Sequence, residues 1–490
     1  MAIRARLVAP PPPAPDPLPE IAPKWTAVPA HLLWQGDRRM EGETWLSSGY
    51  GLAVALRERA VGWKKFEQLA RVTMPGRTKG ILVSSEKGTP FLAATQVFDI
   101  RPVPRKWLAV DRINNARSLF ISEGTILVTR SGNVGRSTLT TDTIKEILCS
   151  DDLLRVEARE PEQWGWLYAY LRSPQARAMM TGAQYGHIIK HLECEHLNAL
   201  PVPVVRKGIA ADFQKRTQAI LDSRNRAHRL TLEAEERFEQ TLGPLKVKDW
   251  GEAGFDIRAS LLFGDRRRLE ATPHNPGVAT IRRHLAKNGK GLFTVARAGF
   301  DVWLPSRFKR IPAEDGIELV DSSAVFETNP DHNKRIADGD FGDAFNGRVK
   351  AGWLLMARSG QTYGINGNVA FATVAHENRA VSDDLLRIAP NKESKMRAGY
   401  LFVALSHPLL GRPLVKSLAY GSSIPHIDAA DLLLLEIVRL PSREENAIAD
   451  LAEESAAERA RADVLERKLA DDASLLIEKF LSGSIAEFEV

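Results

Sequence analysis

The stretch at residues 122–156, "SEGTILVTRSGNVGRSTLTTDTIKEILCSDDLLRV", returns in altered form at residues 349–388 as "VKAGWLLMARSGQTYGINGNVAFATVAHENRAVSDDLLRI". Ordered self-likeness of this kind restricts a chain to architectures that can be built twice. The matching positions form a ladder. Gly124 and Gly352 (352 − 124), Phe98 and Phe326, and Arg130-Ser131-Gly132 and Arg358-Ser359-Gly360 all lie 228 residues apart. The two Ser-Asp-Asp-Leu-Leu-Arg phrases, beginning at Ser150 and Ser382, lie 232 apart, and Tyr185-Gly186 and Tyr420-Gly421 lie 235 apart. An offset that grows only in small steps is what loop insertions between preserved elements produce.

Each half has the same coarse pattern. Residues 126–129 and 354–357 read as short strands running into glycine-bearing turns. Residues 153–156 and 385–388 read as strands led by a turn-favouring Ser-Asp-Asp. Helical patterns follow at 164–180 and 396–418, each interrupted by a proline expected to start a second helix. A loop, "YGHIIKH" or "YGSSIPH", then leads into "ALPVPVV" or "EIVRLP". Such a unit is mixed α and β, about 160–190 residues long, and of ordinary domain size.

A long charged stretch of helix formers trails each unit. Residues 211–242 contain neither proline nor glycine, with Phe213, Ile220, Ala227, Ala234 and Phe238 as a heptad-like seam. Residues 442–481 behave similarly, with Ile448, Leu451, Leu465, Leu469, Leu476 and Phe480 as seam positions. Neither stripe can be buried by its own helix, so pairing the two is the economical solution.

A chain of 490 residues is too long for a single core of ordinary size. With 44% hydrophobic and 26% charged residues it has the composition of a globular protein, and no apolar run approaches the ~20 residues a bilayer requires. The opening "MAIRARLVAPPPPAPDPLPE" reads as a proline-rich arm rather than a signal peptide. Two cysteines, Cys149 and Cys194, suggest no disulfide framework and point to a reducing cytoplasm. The net charge of +6 permits a polyanionic partner without requiring one.

Together, the paired G-x-I/L-L-x-x-R-S-G turns, the strands led by Ser-Asp-Asp, the Tyr-Gly loops and the trailing helices resemble the specificity subunits of type I restriction-modification systems, the HsdS family. The resemblance covers nearly the whole chain beyond the proline-rich arm. It implies an α+β fold of two tandem mixed α/β target recognition domains, separated by long helices that form an antiparallel coiled coil with pseudo-twofold symmetry. The corresponding division is an arm at 1–44, a first recognition domain at 45–206, a central spacer helix at 207–245, a second recognition domain at 246–440 and a C-terminal spacer helix at 441–490. The implied partners are double-stranded DNA, read at a bipartite site, two DNA adenine methyltransferase subunits and, in a restricting system, a translocating restriction subunit. No cofactor is expected on the chain itself, S-adenosylmethionine belonging to the methyltransferase, and the setting is the cytoplasm of a prokaryote. A helix of about 30 residues spans roughly 45 Å, enough to hold two readers about one 34–36 Å turn of DNA apart. Two departures stand out: the arm has no second copy, and Gln361-Thr362-Tyr363-Gly364 is one residue longer than Asn133-Val134-Gly135.

Chemistry of the chain's own is not indicated. Pro10–Pro13 lacks the polar residue and the aromatic of an adenine methyltransferase loop, and no phosphate-binding G-x-x-x-x-G-K-S/T is present. Asp331, Glu393 and Lys395 are the nearest approach to a metal-dependent nuclease set. His187, His191, Cys194 and His196 have zinc-like spacing, but the second half keeps only His426, at the position of His191, so no metal is expected. Candidates for gripping DNA are Arg130, Ser131, Asn133, Arg136, Lys190 and His191 in the first half. In the second they are Arg358, Ser359, Gln361, Tyr363, Asn366, Ser422, Ser423 and His426. The divergent segments add Arg105 and Lys106, and Arg307, Lys309 and Arg310. For Arg130 and Arg358 a second reading stands beside the first: a bidentate tie to Asp152 or Asp384 that holds the turn. Two readers of different half-sites should differ where they touch bases, so residues common to both halves are better suited to scaffolding. An architectural adaptor that pairs its helices without reading sequence remains the alternative from another class.

Overall fold

The computed structural model describes residues 42, 45, 47–77, 79–183, 191–247, 250, 254–263, 268–330, 334–338, 347–484 and 486–489. It is an α+β structure of many helices and several small sheets, and the elements recur in the same order in both halves. In the first half, Ala70–Thr73, Leu153–Ala158, Ile126–Thr129 and Ser137–Leu139 lie side by side in that order, all antiparallel. In the second half the order is Phe300–Trp303, Leu385–Pro390, Leu354–Ala357 and Val369–Phe371, again antiparallel. The strands ending in the Arg-Ser-Gly turns occupy interior positions and are buried at every residue, as their unbroken apolar runs require. A second sheet accompanies each, of four short strands in the first half and three strands in the second. A two-stranded ribbon, Trp63–Lys65 with Pro201–Pro203 or Leu292–Thr294 with Glu436–Val438, ties the start of each unit to its end.

Helices Trp164–Arg172 and Pro174–Ala183 follow the sequence pattern, with Pro174 opening the second. In the other half Pro408 starts nothing; the second helix is Arg412–Lys416, with Pro413 in its first turn. Proline fits there because its missing N–H would have no partner anyway.

The central helix spans Lys207–Leu242 and the C-terminal helix Ser442–Ser482. Arg216 reaches Asp472 at 2.6 Å, Thr231 Oγ1 reaches Ser455 Oγ at 2.8 Å and Arg237 Nε reaches Glu444 at 2.8 Å. Rising numbers on one helix meet falling numbers on the other, so the two run antiparallel. All five expected seam residues of the central helix are buried. The C-terminal seam differs: Leu451, Leu465 and Leu476 are only partly buried, while Ala449, Ala452, Ala456, Ala460, Ala462 and Ala473 are buried.

Both helices divide their length between two cores. Phe213, Ile220 and Leu221 join Leu469, Ile477 and Phe480 in the first-half core; Ala234, Phe238 and Leu242 join Ile448, Ala449 and Ala452 in the second. Between the cores lies a buried polar knot. Arg224 of the central helix contacts Glu466 of the C-terminal helix and Asn329 of the second half, while Tyr168 of the first half donates to Glu466 and Arg172 approaches it at 3.3 Å. Asn329 Nδ2 donates to the Tyr168 hydroxyl at 3.1 Å, which closes the network.

The halves also touch directly. Ile100 donates its amide to the Phe326 carbonyl (2.9 Å), and Thr328 donates to the Phe98 carbonyl (2.6 Å). Phe98 and Phe326, like Ile100 and Thr328, are 228 residues apart, so each copy offers the same backbone edge to the other. That is an isologous contact made within one chain.

Candidate nucleic-acid interface

Both Arg-Ser-Gly turns close by the same pair of backbone bonds: Thr129 N to Arg136 O (2.8 Å) with Gly135 N to Thr129 O (2.9 Å), and Ala357 N to Asn368 O (2.9 Å) with Gly367 N to Ala357 O (2.9 Å). Gly135 and Gly367 have φ of 75° and 72°, a backbone region that a β-carbon disfavours. The closing positions are six residues apart in the first half and ten in the second, so the second turn is longer by four residues rather than one.

The repeated phrases meet in space. Ser131 donates to Asp152, Ser359 donates to Asp384 at 2.9 Å, and each aspartate's amide is held by the serine two residues before it, Ser150 (3.1 Å) or Ser382 (3.2 Å). Arg130 Nη1 lies 3.3 Å from Asp152, and Arg358 Nη1 lies 3.6 Å from Asp384. The Arg130 fork is bidentate to a different carboxylate, Glu193, through Nη2 at 2.5 Å and Nε at 3.4 Å. That hydrogen bond, ahead of the contact with Asp152, holds the Arg130 guanidinium more firmly protonated than usual. The second loop of each unit then zips onto the turn: Ser131 bridges to His191 and Ser359 to His426, and the next amides, Leu192 and Ile427, donate to the Arg130 and Arg358 carbonyls at 2.9 and 3.0 Å. His426 Nδ1 also lies 2.7 Å from Ser359 Oγ. The shared residues therefore build a lock between turn, strand and loop.

What differs between the halves is at the tips. Asn133 is exposed and accepts from Arg177 at 2.7 Å. In the second half Gln361 donates to the Ser423 carbonyl at 2.9 Å, which gathers exposed Gln361, Ser422 and Ser423 beside Tyr363, itself 71% exposed. Arg307 and Lys309 are exposed; Arg310 binds Asp383 at 2.5 Å, which brings this basic segment to the same Ser-Asp-Asp turn. Arg105 and Lys106 are exposed in the first half. Arg105, however, acts electrostatically on Arg412 and Lys416 of the second half. Burial, with help from Arg412 and Arg105, lowers Lys416 to about 8.

Two of the expected DNA contacts are committed inside the fold. Arg136 is buried at the junction, donating to the Thr328 and Asn329 carbonyls at 3.0 and 2.9 Å and pairing with Glu327 at 2.7 Å. Asn366 is fully buried, its amide donating to the Arg358 carbonyl (3.0 Å) and the Pro425 carbonyl (2.9 Å). Arg101, in the basic first-half segment, is likewise tied to Glu235. Lys190 and His187 lie outside the described residues. His196 accepts the Glu193 amide at 2.9 Å and so caps a short helix, and burial raises the Cys194 thiol. Among the described residues no group of three or more His, Cys, Asp or Glu is placed to hold a metal, and no helix is long and apolar enough to cross a membrane. Lys416 and Arg177, beside the tips, gave no signal in sequence because each is one cation on an ordinary helix.

No protein-family model matches the sequence, and no curated protein does. Among solved structures, the chain is similar to the S subunit of a type I restriction-modification system from M. genitalium, with 12% identity, a TM-score of 0.30, and coverage of 88% of this chain and 98% of that one. It is also similar to the HsdS subunit from Thermoanaerobacter tengcongensis, with 13% identity, a TM-score of 0.24, and coverage of 87% and 98%.

Proposed function

We propose that this chain is a noncatalytic, sequence-specific DNA-binding subunit: two tandem recognition domains, spaced by a coiled coil of the central and C-terminal helices, read the halves of a bipartite site. The observation that supports this best is the pairing of a lock common to both copies with tips that differ between them. The same serine-to-aspartate bond, Ser131 to Asp152 and Ser359 to Asp384, underlies Asn133 in one copy and Gln361, Tyr363, Ser422 and Ser423 in the other. Polar and aromatic side chains on a rigid base suit direct readout, and the exposed Arg105, Lys106, Arg307 and Lys309 suit the phosphate backbone. The central helix, 36 residues long, spans about 54 Å, more than a helical turn of duplex. The pseudo-twofold arrangement offers two quasi-equivalent surfaces for adenine-N6 methyltransferase subunits, which would bring S-adenosylmethionine and the base-flipping chemistry, and for a restriction subunit.

Selection of binding sites from a random duplex library by the complex of this chain with its methyltransferase subunits is the test. Two defined blocks separated by a gap of fixed length are expected. Enrichment of no sequence would instead leave an architectural adaptor.

A further inference from the structure

The two copies differ sharply in one place, where each sheet meets the long helix that follows its unit. In the first half this cleft is filled. The Trp164 indole lies against Gly124 and donates to its carbonyl at 2.7 Å, and Leu221 of the central helix packs beside it. Asn225 is bonded to Glu123 (2.5 Å) and to the Asp142 amide (3.0 Å), and Arg229 closes the outer edge on Asp142 at 2.7 Å.

The corresponding second-half positions follow from the element starts: the long helices begin 235 residues apart (442 − 207), the helices carrying Trp164 and Ala398 begin 234 apart (398 − 164), and the short turns at Asp142 and Val374 lie 232 apart (374 − 142). Trp164 and Leu221 become Ala398 and Ala456. Glu123 and Asn225 become Ala351 and Ala460. The ion pair Asp142–Arg229 becomes Val374 and Val464, which are 59% and 52% exposed. All six replacements line a single cleft of about 1220 Å³. Two of its edge arginines pair with carboxylates of the same rim, Arg397 with Glu453 and Arg439 with Glu445, Lys395 and Arg461 complete the charged edge, and the floor between them is apolar. Gly352, where Gly124 has its indole, faces open space.

Replacing an indole, a leucine, a hydrogen-bonded pair and an ion pair by alanine and valine sacrifices packing and leaves apolar surface in water. We propose that the cleft is a docking site for the chain's own N-terminal segment, residues 21–36, "IAPKWTAVPAHLLWQG", with one of its two indoles in the place of Trp164's. That segment belongs to the part of the sequence that has no second copy, and the cleft belongs to the half that lacks the filling, so the two asymmetries answer each other. The reach is sufficient. The described chain enters at helix Ser48–Arg57, which packs on Pro174–Ala183, and Gln175 of that helix binds Ser474 of the C-terminal helix at 2.8 Å. From Ser474 to Val464 and Glu453 is about 15–32 Å along the helix axis, while the 20 residues between Trp25 and Trp45 can span up to about 66–72 Å. Leu475, 52% exposed, extends the apolar path on the same face as Val464. This assignment does not depend on the chain's binding DNA.

The experiment uses the full-length chain with the photo-crosslinker benzoylphenylalanine in place of Val464. Irradiation is expected to give a product of monomer size, linked to residues 21–36. Crosslinks to a second copy or to a co-purifying protein, or no crosslink, would overturn the assignment. Independently, Val374→Asp with Val464→Arg restores the first copy's ion pair using only exposed positions. Tryptic cleavage after Lys24 should then accelerate about tenfold with the melting temperature unchanged. An unchanged cleavage rate in a variant that melts normally would also overturn it.

Discussion

Asp99 and Glu327 face each other in an antiparallel bridge across the axis that relates the two halves. Burial lifts the Asp99 carboxyl to about 7; Arg105 opposes the shift and Glu327 adds to it. In the unfolded chain Asp titrates near ~3.9. Between pH 4 and 7 the folded state therefore holds a proton that the unfolded state has lost, and stability falls as pH rises through that window. Asp99→Asn should remove this part of the slope, gaining on the order of 1–2 kcal/mol above pH 7 because Asp99 is partly exposed. Glu235, raised to about 7 by burial against the pull of Arg101, titrates in the same window, so the slope shrinks without vanishing. Thermal unfolding of both proteins from pH 4.5 to 8 measures it.

The polar knot should be intolerant of single changes. Arg224→Met leaves Glu466, 1% exposed, without its closest cation and should cost about 3–5 kcal/mol in chemical denaturation. Arg224→Met with Glu466→Met should recover part of that loss, since the buried carboxylate is gone, while Arg172 then loses the partner it approaches at 3.3 Å.

Gly165 and Gly399 let their helices approach the long helices. A β-carbon at Gly165 would lie 2.3 Å from the Gln214 Cα, and one at Gly399 would lie 2.5 Å from the Ala449 carbonyl oxygen. Since backbone cannot swing aside as a side chain can, each Gly→Ala should destabilise by about 1–3 kcal/mol and lower the melting temperature.

Scaffold and reader should separate in DNA binding. Gln361→Ala and Tyr363→Ala are expected to weaken binding to one half-site about 10–100-fold with no change in melting temperature. Lys106→Ala and Lys309→Ala should each lower the salt slope of binding by about one, whatever the sequence. Arg130→Ala, by contrast, should cost about 1–2 kcal/mol of stability by stranding Glu193 and Asp152. Titrations at several salt concentrations, paired with melting curves, distinguish the three classes.

The duplication, the strands at 126–129 and 354–357 and both long helices could be read directly, because strand and helix periodicities and a repeated turn are local signals. Half of the C-terminal seam, Ile448, Leu469 and Phe480, is buried as expected, and the other half is only partly so for a physical reason. Leucine marks a stripe by its hydrophobicity, yet this helix is buried where alanine leaves room, and alanine is common on any helix. Arg136 and Asn366 looked like surface groups beside a turn. Their burial is decided by a segment 192 residues away in one case and by the Pro425 loop in the other, contacts that no spacing rule contains. The filled and open clefts were invisible for the same reason: Trp164 and Ala398 are both ordinary first residues of a helix until the opposing wall is known.

Phe488 has a consequence for synthesis. It packs edge-to-face against Phe480 and bridges to Val205, and the Glu489 amide bonds to the Val204 carbonyl at 2.8 Å. The core around Phe66 and Trp166 thus takes its last wall from residues made more than 280 positions after Val205. On the ribosome, the half that emerges first must wait, with part of its interior open, until residue 488 has left the exit tunnel, whereas the half made later finds the central helix already in hand.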